Sequence, residues 1–242
     1  MKADAVIVSA GKGQRFLEGE KKQFHFLADK PVLAHTLDKF ERCPLIRYIL
    51  LVVGREDMEY CMKNIVEEFH FRKVSQIVPG GKKRQDSAKN GIDALPKDTQ
   101  IVVVHDGVRP FVTGEIIEES IHSAIRFGAV VTAMPVKETI KMSRSDGTVL
   151  RTLDRDSLWQ VQTPQAFKLS LIREAHQKAV QDGFVGTDDA SLVERLGGTV
   201  HILPGSYANI KITTPEDMML ARLLLTTKAA SEADPKGSVE KR

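Results

Sequence analysis

Short apolar runs alternate with amphipathic stretches along most of the chain. Runs rich in β-branched residues predict strands at 5–9, 48–53, 75–78, 101–105, 129–134, 200–203 and 210–212. The amphipathic stretches predict helices at 32–42, 58–69, 84–94, 113–127, 169–182, 188–196 and 215–225. Runs that are apolar on both faces, such as 49–53 and 101–104, are typical of strands covered by helices on both sides. The pattern therefore predicts one α/β domain over residues 1–225, with a doubly wound, mostly parallel sheet.

Residues 136–161 depart from this alternation and predict a hairpin arm inserted into the domain. Apolar and polar residues alternate around Ser145-Asp146-Gly147, and an Asp-Gly pair between two such stretches is a strong hairpin signal. An isolated hairpin is marginally stable in water because it buries little of its own surface. We therefore expect the arm to project from the domain and to pack on another subunit.

The C-terminal stretch and the overall composition narrow the class of protein. Residues 226–242 contain almost no large apolar side chain, so the sequence predicts a disordered tail. The net charge of +3, from 35 basic and 32 acidic residues, is too small to indicate nucleic acid as the main partner. Cys43 and Cys61 form neither a CxxC pair nor a Cys/His zinc pattern. With no signal sequence and no apolar run approaching ~20 residues, we expect a cytoplasmic protein without a membrane segment.

A turn of small residues follows the first predicted strand, in the sequence Ser9-Ala10-Gly11-Lys12-Gly13-Gln14-Arg15-Phe16. Small residues let backbone N–H groups approach a phosphate, and the basic side chains supply positive charge. The turn lacks the third glycine of a dinucleotide-binding fingerprint, because Phe16 occupies that position, and the sequence contains no P-loop pattern. A tight turn with solvated lysine and arginine is the alternative interpretation.

Two further basic stretches favour a phosphate site. Lys22, in Lys21-Lys22-Gln23-Phe24, follows Arg15 by seven residues, so the two cations can grip a polyphosphate from two sides. A second glycine pair opens Gly80-Gly81-Lys82-Lys83-Arg84-Gln85-Asp86-Ser87, between a predicted strand and a predicted helix. This turn can form the floor for a nucleobase and ribose, with backbone groups and Ser87 making polar contacts. An ordinary strand-to-helix turn is the alternative.

An acidic residue ends the most apolar predicted strand, in Val104-His105-Asp106-Gly107-Val108-Arg109-Pro110. Open α/β sheets bind ligands at the carboxyl ends of their strands. A carboxylate there suits a hard cation such as Mg²⁺, with phosphate oxygens and water completing the coordination. Asp106 is therefore the candidate metal ligand, directly or through water, and Arg109 can meet a second anion. His105 is interpreted as a structural residue.

The last candidate stretch is Asn209-Ile210-Lys211-Ile212-Thr213-Thr214-Pro215-Glu216-Asp217. On a short strand, Lys211 would point to the opposite side from Ile210 and Ile212, which predicts that the lysine leaves the core. Thr214 and Pro215 are typical of the N-cap and the first turn of the final helix.

These motifs occur in an order that resembles the 2-C-methyl-D-erythritol 4-phosphate cytidylyltransferase family. From residue 9 to residue 217 the order is Ser-Ala-Gly-Lys-Gly-Gln-Arg-Phe, Lys-Gln-Phe, Gly-Gly-Lys-Lys-Arg-Gln-Asp-Ser, His-Asp-Gly-Val-Arg-Pro, Leu-Trp-Gln-Val-Gln-Thr-Pro-Gln, Gly-Thr-Asp-Asp-Ala-Ser and Asn-Ile-Lys-Ile-Thr-Thr-Pro-Glu-Asp. The resemblance covers the chain apart from its predicted tail. One departure is visible, because the family usually has two alanines where Gly107 and Val108 stand. We expect altered packing there, without loss of activity.

The resemblance implies a Rossmann-like nucleotidyltransferase fold and a homodimer formed through the β-arm. It implies that CTP and 2-C-methyl-D-erythritol 4-phosphate give a CDP-alcohol and pyrophosphate, with Mg²⁺ as cofactor, in non-mevalonate isoprenoid biosynthesis. The implied catalytic residues are Arg15, Lys22 and Lys211. The implied nucleotide-binding residues are Ala10, Gly11, Gly13, Gly81, Lys82, Ser87 and Asp106. The implied substrate-binding residues are Asp106, Arg109, Thr163, Thr187 and Lys211, with Thr139 and Arg155 reaching into the neighbouring subunit's site.

Two alternative functions remain open from the sequence. A cytidylyltransferase for another polyol phosphate, such as ribitol 5-phosphate, would share the nucleotide half of the motifs, although the surroundings of Thr139, Arg155 and Thr163 favour methylerythritol phosphate. A catalytically silent nucleotide-binding protein could share the fold, because a fold alone does not give a function. Retention of Arg15, Lys22, Asp106 and Lys211 together argues against that second alternative.

Overall fold

The computed structural model describes residues 2–11 and 21–233, with the side chains of the last helix described through Thr227. The strands are β1 (Ala3–Val8), β2 (Phe26–Leu27), β3 (Lys30–Pro31), β4 (Ile46–Val53), β5 (Val74–Pro79), β6 (Ile101–Asp106), β7 (Ala129–Pro135), β8 (Lys141–Ser143), β9 (Val149–Thr152), β10 (Trp159–Lys168) and β11 (His201–Pro204). The α-helices are α1 (Val32–Arg42), α2 (Met58–Cys61), α3 (Arg84–Asp93), α4 (Gly114–Phe127), α5 (Leu169–Gln181), α6 (Ala190–Arg195) and α7 (Pro215–Ala233). A 3-10 turn precedes α2 over Arg55–Asp57, and α2 continues into a π-helical turn over Met62–Glu67. Further 3-10 turns cover Lys22–Phe24 and Arg155–Ser157.

The main sheet has seven strands in the order β11-β7-β10-β6-β1-β4-β5. Every neighbouring pair is parallel except the two that β10 makes with β6 and β7, which are antiparallel. Helices α1 and α4 bury their apolar faces on one side of the sheet, and α3, α5 and α6 on the other. The predicted doubly wound, mostly parallel α/β sheet is confirmed.

Strand β10 (Trp159–Lys168) is the long element that the sequence pattern missed, in addition to the two-residue strands β2 and β3. Its sequence carries polar residues and Pro164 in the middle, and proline usually argues against a central strand because it cannot donate to the ladder. The register against β7 shifts between Val161 and Gln165, so the proline falls in an irregular stretch. The residues from Trp159 to Val161, predicted to belong to the arm, therefore start this strand.

The predicted strand at 210–212 is wrong. One backbone hydrogen bond, from Ile212 N to Val108 O (2.9 Å), attaches the segment to the loop after β6, and no ladder forms. The predicted orientation is confirmed for Ile212, which is fully buried, and for Lys211, which is partly exposed, whereas Ile210 is only partly buried. The lysine therefore leaves the core, as expected.

The arm forms the predicted hairpin, in which β8 and β9 pair around Asp146-Gly147 as a separate two-stranded sheet. Gly147 has a φ of +82°, and the Asp146 carboxylate accepts a hydrogen bond from Thr148 N (2.9 Å). These features explain the turn, since a positive φ favours glycine and an aspartate side chain can close a tight turn.

The predicted tail boundary is corrected, because α7 continues past residue 225 to Ala233. The hydroxyls of Thr226 and Thr227 bond back to carbonyls of the preceding turn, and the following residues include alanines, which have high helix propensity. Residues 234–242 lie outside the described residues. Across the described part of the chain, no helix combines the length and apolar character needed to span a membrane.

Candidate active site

A cleft of about 860 Å³ opens at the carboxyl ends of β1, β5 and β6. Two glycine turns, one beginning at Ser9-Ala10-Gly11 and the other at Gly80-Gly81, form one side of it. An ion cluster around Asp106 forms the other side. The residues that line it are Val8, Ser9, Ala10, Gly11, Lys22, Gln23, Gly54, Arg55, Glu56, Gly80, Gly81, Lys82, Lys83, Arg84, Ser87, Asp106, Val108 and Lys211. The cleft therefore occupies the place where open α/β sheets bind ligands.

The first turn is held by Gln23, a residue that the sequence analysis did not assign to the site. Its amide Nε2 donates to the backbone carbonyls of Ser9 and Gly11, at 3.2 Å each, and its side chain is almost fully buried. Gln23 thereby fixes the end of β1 against the turn that carries Lys22. The predicted site residues Gly13 and Arg15 lie outside the described residues.

The second turn brings the two glycine motifs together. A Cβ on Gly80 would overlap the side chain of Ala10, so only glycine allows this approach. The Ser87 hydroxyl accepts from Gly81 N (3.0 Å) and donates to Lys83 O (3.0 Å). The turn is therefore closed by a side chain of the helix that follows it.

The two lysines of Lys21-Lys22 have different surroundings. Lys21 Nζ lies 2.6 Å from Asp57 Oδ2 and 2.9 Å from Glu56 Oε1, across 36 and 35 residues of sequence. Burial by itself would lower the pKa of Lys21, but these carboxylates outweigh it and raise the pKa above its usual value. Lys21 ties its turn to the loop after β4, while Lys22 lines the cleft.

Asp106 is surrounded by three cations at the end of β6. Its Oδ1 lies 3.1 Å from Arg84 Nε, and its Oδ2 lies 2.9 Å from Lys211 Nζ and 3.5 Å from Arg109 Nε. Burial alone would raise the pKa of Asp106, but the positive charges of Arg84, Lys211 and Arg109 outweigh it and hold the pKa below its usual range. The carboxylate is therefore ionised, and it draws the three basic side chains to one point.

Arg84 is the member of this cluster that the sequence analysis missed. Its Nη1 lies 2.7 Å from Asp189 Oδ2, so one guanidinium bridges two carboxylates from distant parts of the chain. Asp189 also lies 3.2 Å from His176 Nε2, and both side chains are buried. A sequence signal was present, because Arg84 begins α3, where the helix dipole disfavours a basic residue unless an acid compensates for it.

His105 supports the backbone of the site, as the sequence analysis expected. Its Nε2 donates to Arg109 O (3.2 Å), which leaves Nδ1 to accept from the Thr163 hydroxyl (3.0 Å). Complete burial lowers the pKa of His105 to about 3, so the ring is neutral at physiological pH. Thr163 in turn accepts from Asp106 N (3.0 Å), so its hydroxyl positions Asp106 and does not line the cleft.

The other predicted substrate residues lie at different distances from the cleft. Arg109 is largely buried and donates to Asn209 O (2.8 Å), two residues before Lys211, so it links the Asp106 and Lys211 segments. Thr187 is exposed on the loop before α6 and does not line the cleft. Thr139 and Arg155 are exposed at the arm, where Arg155 Nη1 donates to Lys137 O (3.0 Å). These two lie outside this chain's own cleft.

The cleft offers few oxygen donors for a divalent cation. Within residues 2–11 and 21–233, no group of three His, Cys, Asp or Glu side chains could hold a metal ion. Asp106 supplies a hard oxygen donor in the cleft, but both of its oxygens contact cationic side chains. The residues therefore do not form a resident metal site, although Asp106 suits a cation that arrives bound to phosphate oxygens.

Comparisons with known proteins agree with this architecture. Residues 3–227 match the family model for 2-C-methyl-D-erythritol 4-phosphate cytidylyltransferase. The chain is 48% identical over 224 residues to the enzyme of that name from Syntrophus aciditrophicus, covering 93% of this chain and 96% of the relative. A relative of the same name from Caldanaerobacter subterraneus is 46% identical over 225 residues, covering 93% of this chain and 99% of the relative.

Solved structures give the same result. The crystal structure of 4-diphosphocytidyl-2C-methyl-D-erythritol synthase from Anaerococcus prevotii matches with a TM-score of 0.82 at 33% identity, covering 93% of this chain and 96% of that one. The crystal structure of 2-C-methyl-D-erythritol 4-phosphate cytidylyltransferase from Thermus thermophilus matches with a TM-score of 0.77 at 28% identity, covering 93% of this chain and all of that one. Because the family model spans nearly the whole described chain, the protein belongs to the 2-C-methyl-D-erythritol 4-phosphate cytidylyltransferase family.

Proposed function

We propose that the protein transfers the cytidylyl group of CTP to the phosphate of 2-C-methyl-D-erythritol 4-phosphate. The products are the CDP-alcohol and pyrophosphate. The observation that carries this proposal is the cleft itself, which joins two glycine turns to the cationic cluster around Asp106 in a chain of this family. The ribitol phosphate alternative is not favoured, because the relatives that match the chain carry the methylerythritol name. Since both substrates are phosphorylated and cross membranes poorly, we place the reaction in the cytoplasm.

The reaction needs positioning and charge more than a proton acceptor. An oxygen of the alcohol phosphate attacks the α-phosphorus of CTP, a new P–O bond forms, and the bond to the bridging oxygen of pyrophosphate breaks. The attacking oxygen is already ionised at neutral pH, so no general base is required. This agrees with the neutral, buried state of His105. The enzyme must bring two anions together and stabilise charge on the pentacoordinate phosphorus.

We assign the two sides of the cleft to the two substrates. The nucleotide side comprises the backbone of Ala10, Gly11 and Gly81, with Lys82 and Ser87. Gly13, outside the described residues, is proposed to contact the nucleotide as well. The alcohol side comprises Asp106 and Lys211, which line the cleft, together with three residues outside its lining: Arg109 and Thr163, which contact Asp106, and Thr187 on the loop before α6. Lys22, which lines the cleft, stabilises the triphosphate and the transition state, and Arg15 is proposed to act with it.

Lys211 faces the junction of the two sides. Its ammonium pairs with Asp106 Oδ2, yet its side chain is 37% exposed, so it can reach an incoming phosphate by a small movement. Arg84 and Arg109 remain on Asp106 when Lys211 leaves, so the buried carboxylate keeps its compensation. Lys211 is therefore available to the α-phosphate without leaving an unpaired buried charge.

We further propose that Mg²⁺ enters with CTP, held mainly by the phosphate oxygens. Asp106 is the residue that would hold it from the protein side, directly or through water. The ion would supply charge neutralisation on the triphosphate. The protein residues themselves bind and orient the two phosphates.

We propose a homodimer in which each arm covers the partner's site. Met142, Val149 and Leu150 on the arm are exposed, and Trp159 and Val161 at its base are also exposed. An apolar surface of this kind on a two-stranded sheet favours burial against a second copy. Thr139 and Arg155 would then reach the alcohol side of the partner's cleft, where a guanidinium can bind two phosphate oxygens.

A turnover assay tests the reaction. Purified protein is offered CTP with methylerythritol phosphate, CTP with ribitol 5-phosphate, and ATP with methylerythritol phosphate, and pyrophosphate release is measured. We expect CTP with methylerythritol phosphate to give the highest kcat/KM, because fixed polar groups left unpaired by a purine disfavour ATP. Higher kcat/KM with ribitol 5-phosphate, or absence of turnover, would refute the proposal.

Mixed dimers test the arm. Arg155→Ala and Lys22→Ala homodimers should both be nearly inactive, because every site lacks one of the two residues. A verified heterodimer has one site built from Lys22 of one chain and Arg155 of the other, so it should recover activity. If heterodimers stay inactive, each site is completed within one chain and the arm has only a structural role.

A further inference from the structure

The first turn of α3 (Arg84–Asp93) crosses from the nucleotide side to the loop that carries Thr187. Arg84 and Gln85 follow directly after the second glycine turn, and both contact the segment from Phe184 to Asp189. About 100 residues of chain separate the two regions in sequence. Neither Gln85 nor this segment has a role in the reaction as described above, apart from Thr187.

Gln85 uses both ends of its amide on this segment. Its Nε2 donates to Phe184 O (3.1 Å), and its Oε1 accepts from Gly186 N (2.9 Å). The side chain is not part of the cleft lining, so with its amide engaged in this way it does not face a substrate. Its contacts fix the backbone immediately before Thr187.

The other side of Thr187 is fixed by two carboxylates, of which Asp189 is buried and Asp188 partly buried. Asp189 is held by the Arg84 guanidinium at 2.7 Å, and Asp188 Oδ2 accepts from Gln165 Nε2 at 2.8 Å. Thr187 itself is exposed and lies between Gly186 and Asp188, which are both held by hydrogen bonds. The loop is therefore held in place by its neighbouring residues, and the Thr187 hydroxyl is left for a ligand.

We infer that Arg84 and Gln85 are positioning residues that tie the nucleotide turn to the alcohol-phosphate side of the site. Arg84 holds Asp106 and Asp189 together with one planar fork, and Gln85 holds the Thr187 loop by two hydrogen bonds. Because a small displacement of a positioning group weakens binding of the substrate it faces, loss of Gln85 acts on the alcohol phosphate and spares CTP. The inference rests on the proposed function, since it assigns the Thr187 loop to the alcohol substrate.

The test uses the full-length enzyme with three variants on α3. Gln85→Met keeps the length of the side chain but removes both hydrogen bonds, and Gln85→Glu keeps only the acceptor for Gly186 N. Lys89→Ala, one turn further along the same helix, removes an ion pair with Asp93 at the surface and serves as the matched control. The KM values for CTP and for methylerythritol phosphate are measured with each variant.

We expect Gln85→Met to raise the KM for methylerythritol phosphate by about tenfold while the KM for CTP stays within about twofold. Gln85→Glu should fall between wild type and Gln85→Met, and Lys89→Ala should change neither constant by more than about twofold. Equal rises in both KM values, or an unchanged KM for the alcohol phosphate, would overturn the inference.

Amide hydrogen exchange in the ligand-free protein gives a readout that is independent of turnover. Exchange at Gly186 N should accelerate by about tenfold in Gln85→Met and remain at the wild-type rate in Lys89→Ala. Unchanged protection of Gly186 would overturn the positioning role even if the kinetic constants shifted. A wild-type enzyme that forms no CDP-alcohol would instead refute the proposed function, so the two failures are distinguishable.

Discussion

The two sides of the cleft are built by different physical means. The nucleotide side depends on space, because its glycine turns approach so closely that a side chain at Gly80 would overlap Ala10. The alcohol side depends on charge, because Asp106 gathers Arg84, Arg109 and Lys211 within 3.5 Å. One side is therefore sensitive to added volume, and the other to the removal of a charge.

The glycine turns and the ion cluster also differ in how much they contribute to the stability of the fold. Backbone groups in a turn can contact a nucleotide while contributing little to the core, whereas a buried ion cluster becomes costly once one of its members is lost. The protein therefore keeps an exposed cation, Lys211, on a cluster whose other members are more deeply buried.

The largest expected effect comes from Asp106→Asn. This change leaves three cations without their shared anion in a buried position, so the free energy of unfolding should fall by about 3–5 kcal/mol. Urea denaturation followed by circular dichroism measures the change. The comparison variant is Lys211→Gln, which should lower the free energy of unfolding by about 1 kcal/mol or less because Lys211 is partly exposed and Asp106 keeps two partners.

Turnover of Lys211→Gln distinguishes a catalytic lysine from one that only neutralises Asp106. Lys211→Gln should fold normally yet lose most of its turnover. Full turnover in that variant would mean that the lysine serves only to neutralise Asp106, and the assignment of Lys211 to the α-phosphate would be wrong.

On the nucleotide side, Lys22→Ala should lower kcat by about 10²–10³-fold with little change in the KM for CTP. The reason is that the lysine charge is needed most when the α-phosphorus is pentacoordinate. Steady-state kinetics measures both constants, with Lys63→Ala, an exposed lysine paired with Glu59, as the control. A rise in KM at unchanged kcat would show that Lys22 binds substrate and transition state equally.

A smaller effect is expected from Arg84→Lys, which retains the positive charge but not the planar guanidinium. A lysine can pair with Asp106 or Asp189 but cannot reproduce both guanidinium contacts, so the free energy of unfolding should fall by about 1.5–3 kcal/mol. Thermal and chemical denaturation measure the loss. Wild-type stability in Arg84→Lys would show that the bridge between the two carboxylates contributes nothing to the fold.

The hydrophobic pattern was sufficient to predict most of the sheet and the helices that cover it. Helix α1 begins and ends where the pattern placed it, and β6 extends the predicted strand by one residue. Strand β10 escaped because Pro164 and its polar neighbours resemble a loop, while the strand is stabilised by partners on both sides. Local sequence does not report such tertiary partners.

The candidate site likewise contains residues that the sequence could predict and residues that it could not. Asp106, Lys22, Ser87 and Lys211 were all predicted as site residues, and all four line the cleft. For Asp106 and Ser87 the position at a strand end or a glycine turn carried the chemical meaning, whereas the role of Lys211 came from the family resemblance. Arg84 and Gln23 were not predicted as site residues, because their roles depend on contacts with atoms elsewhere in the fold. Arg84 meets Asp189 across 105 residues, a separation that no local pattern encodes.

The smallest effect is expected from Gly107→Ala, which tests whether the end of β6 is also sensitive to added side-chain volume. A Cβ at Gly107 would lie 2.9 Å from Ser9 Cβ and 3.0 Å from Leu33 Cδ1, closer than normal packing allows. We therefore expect the free energy of unfolding to fall by about 1–3 kcal/mol, the usual cost of overpacking. Chemical denaturation measures it against Gly114→Ala, at the start of α4, where nothing apart from the adjacent residues and the backbone of its own helix lies within 4 Å of the new methyl group. Because that control adds the same methyl group to a helix, where alanine is favoured over glycine, its stability should stay level or rise slightly. If Gly107→Ala were as stable as its control, the backbone at the end of β6 could move to admit the methyl group. The packing of Ser9 and Leu33 would then not be what limits this position.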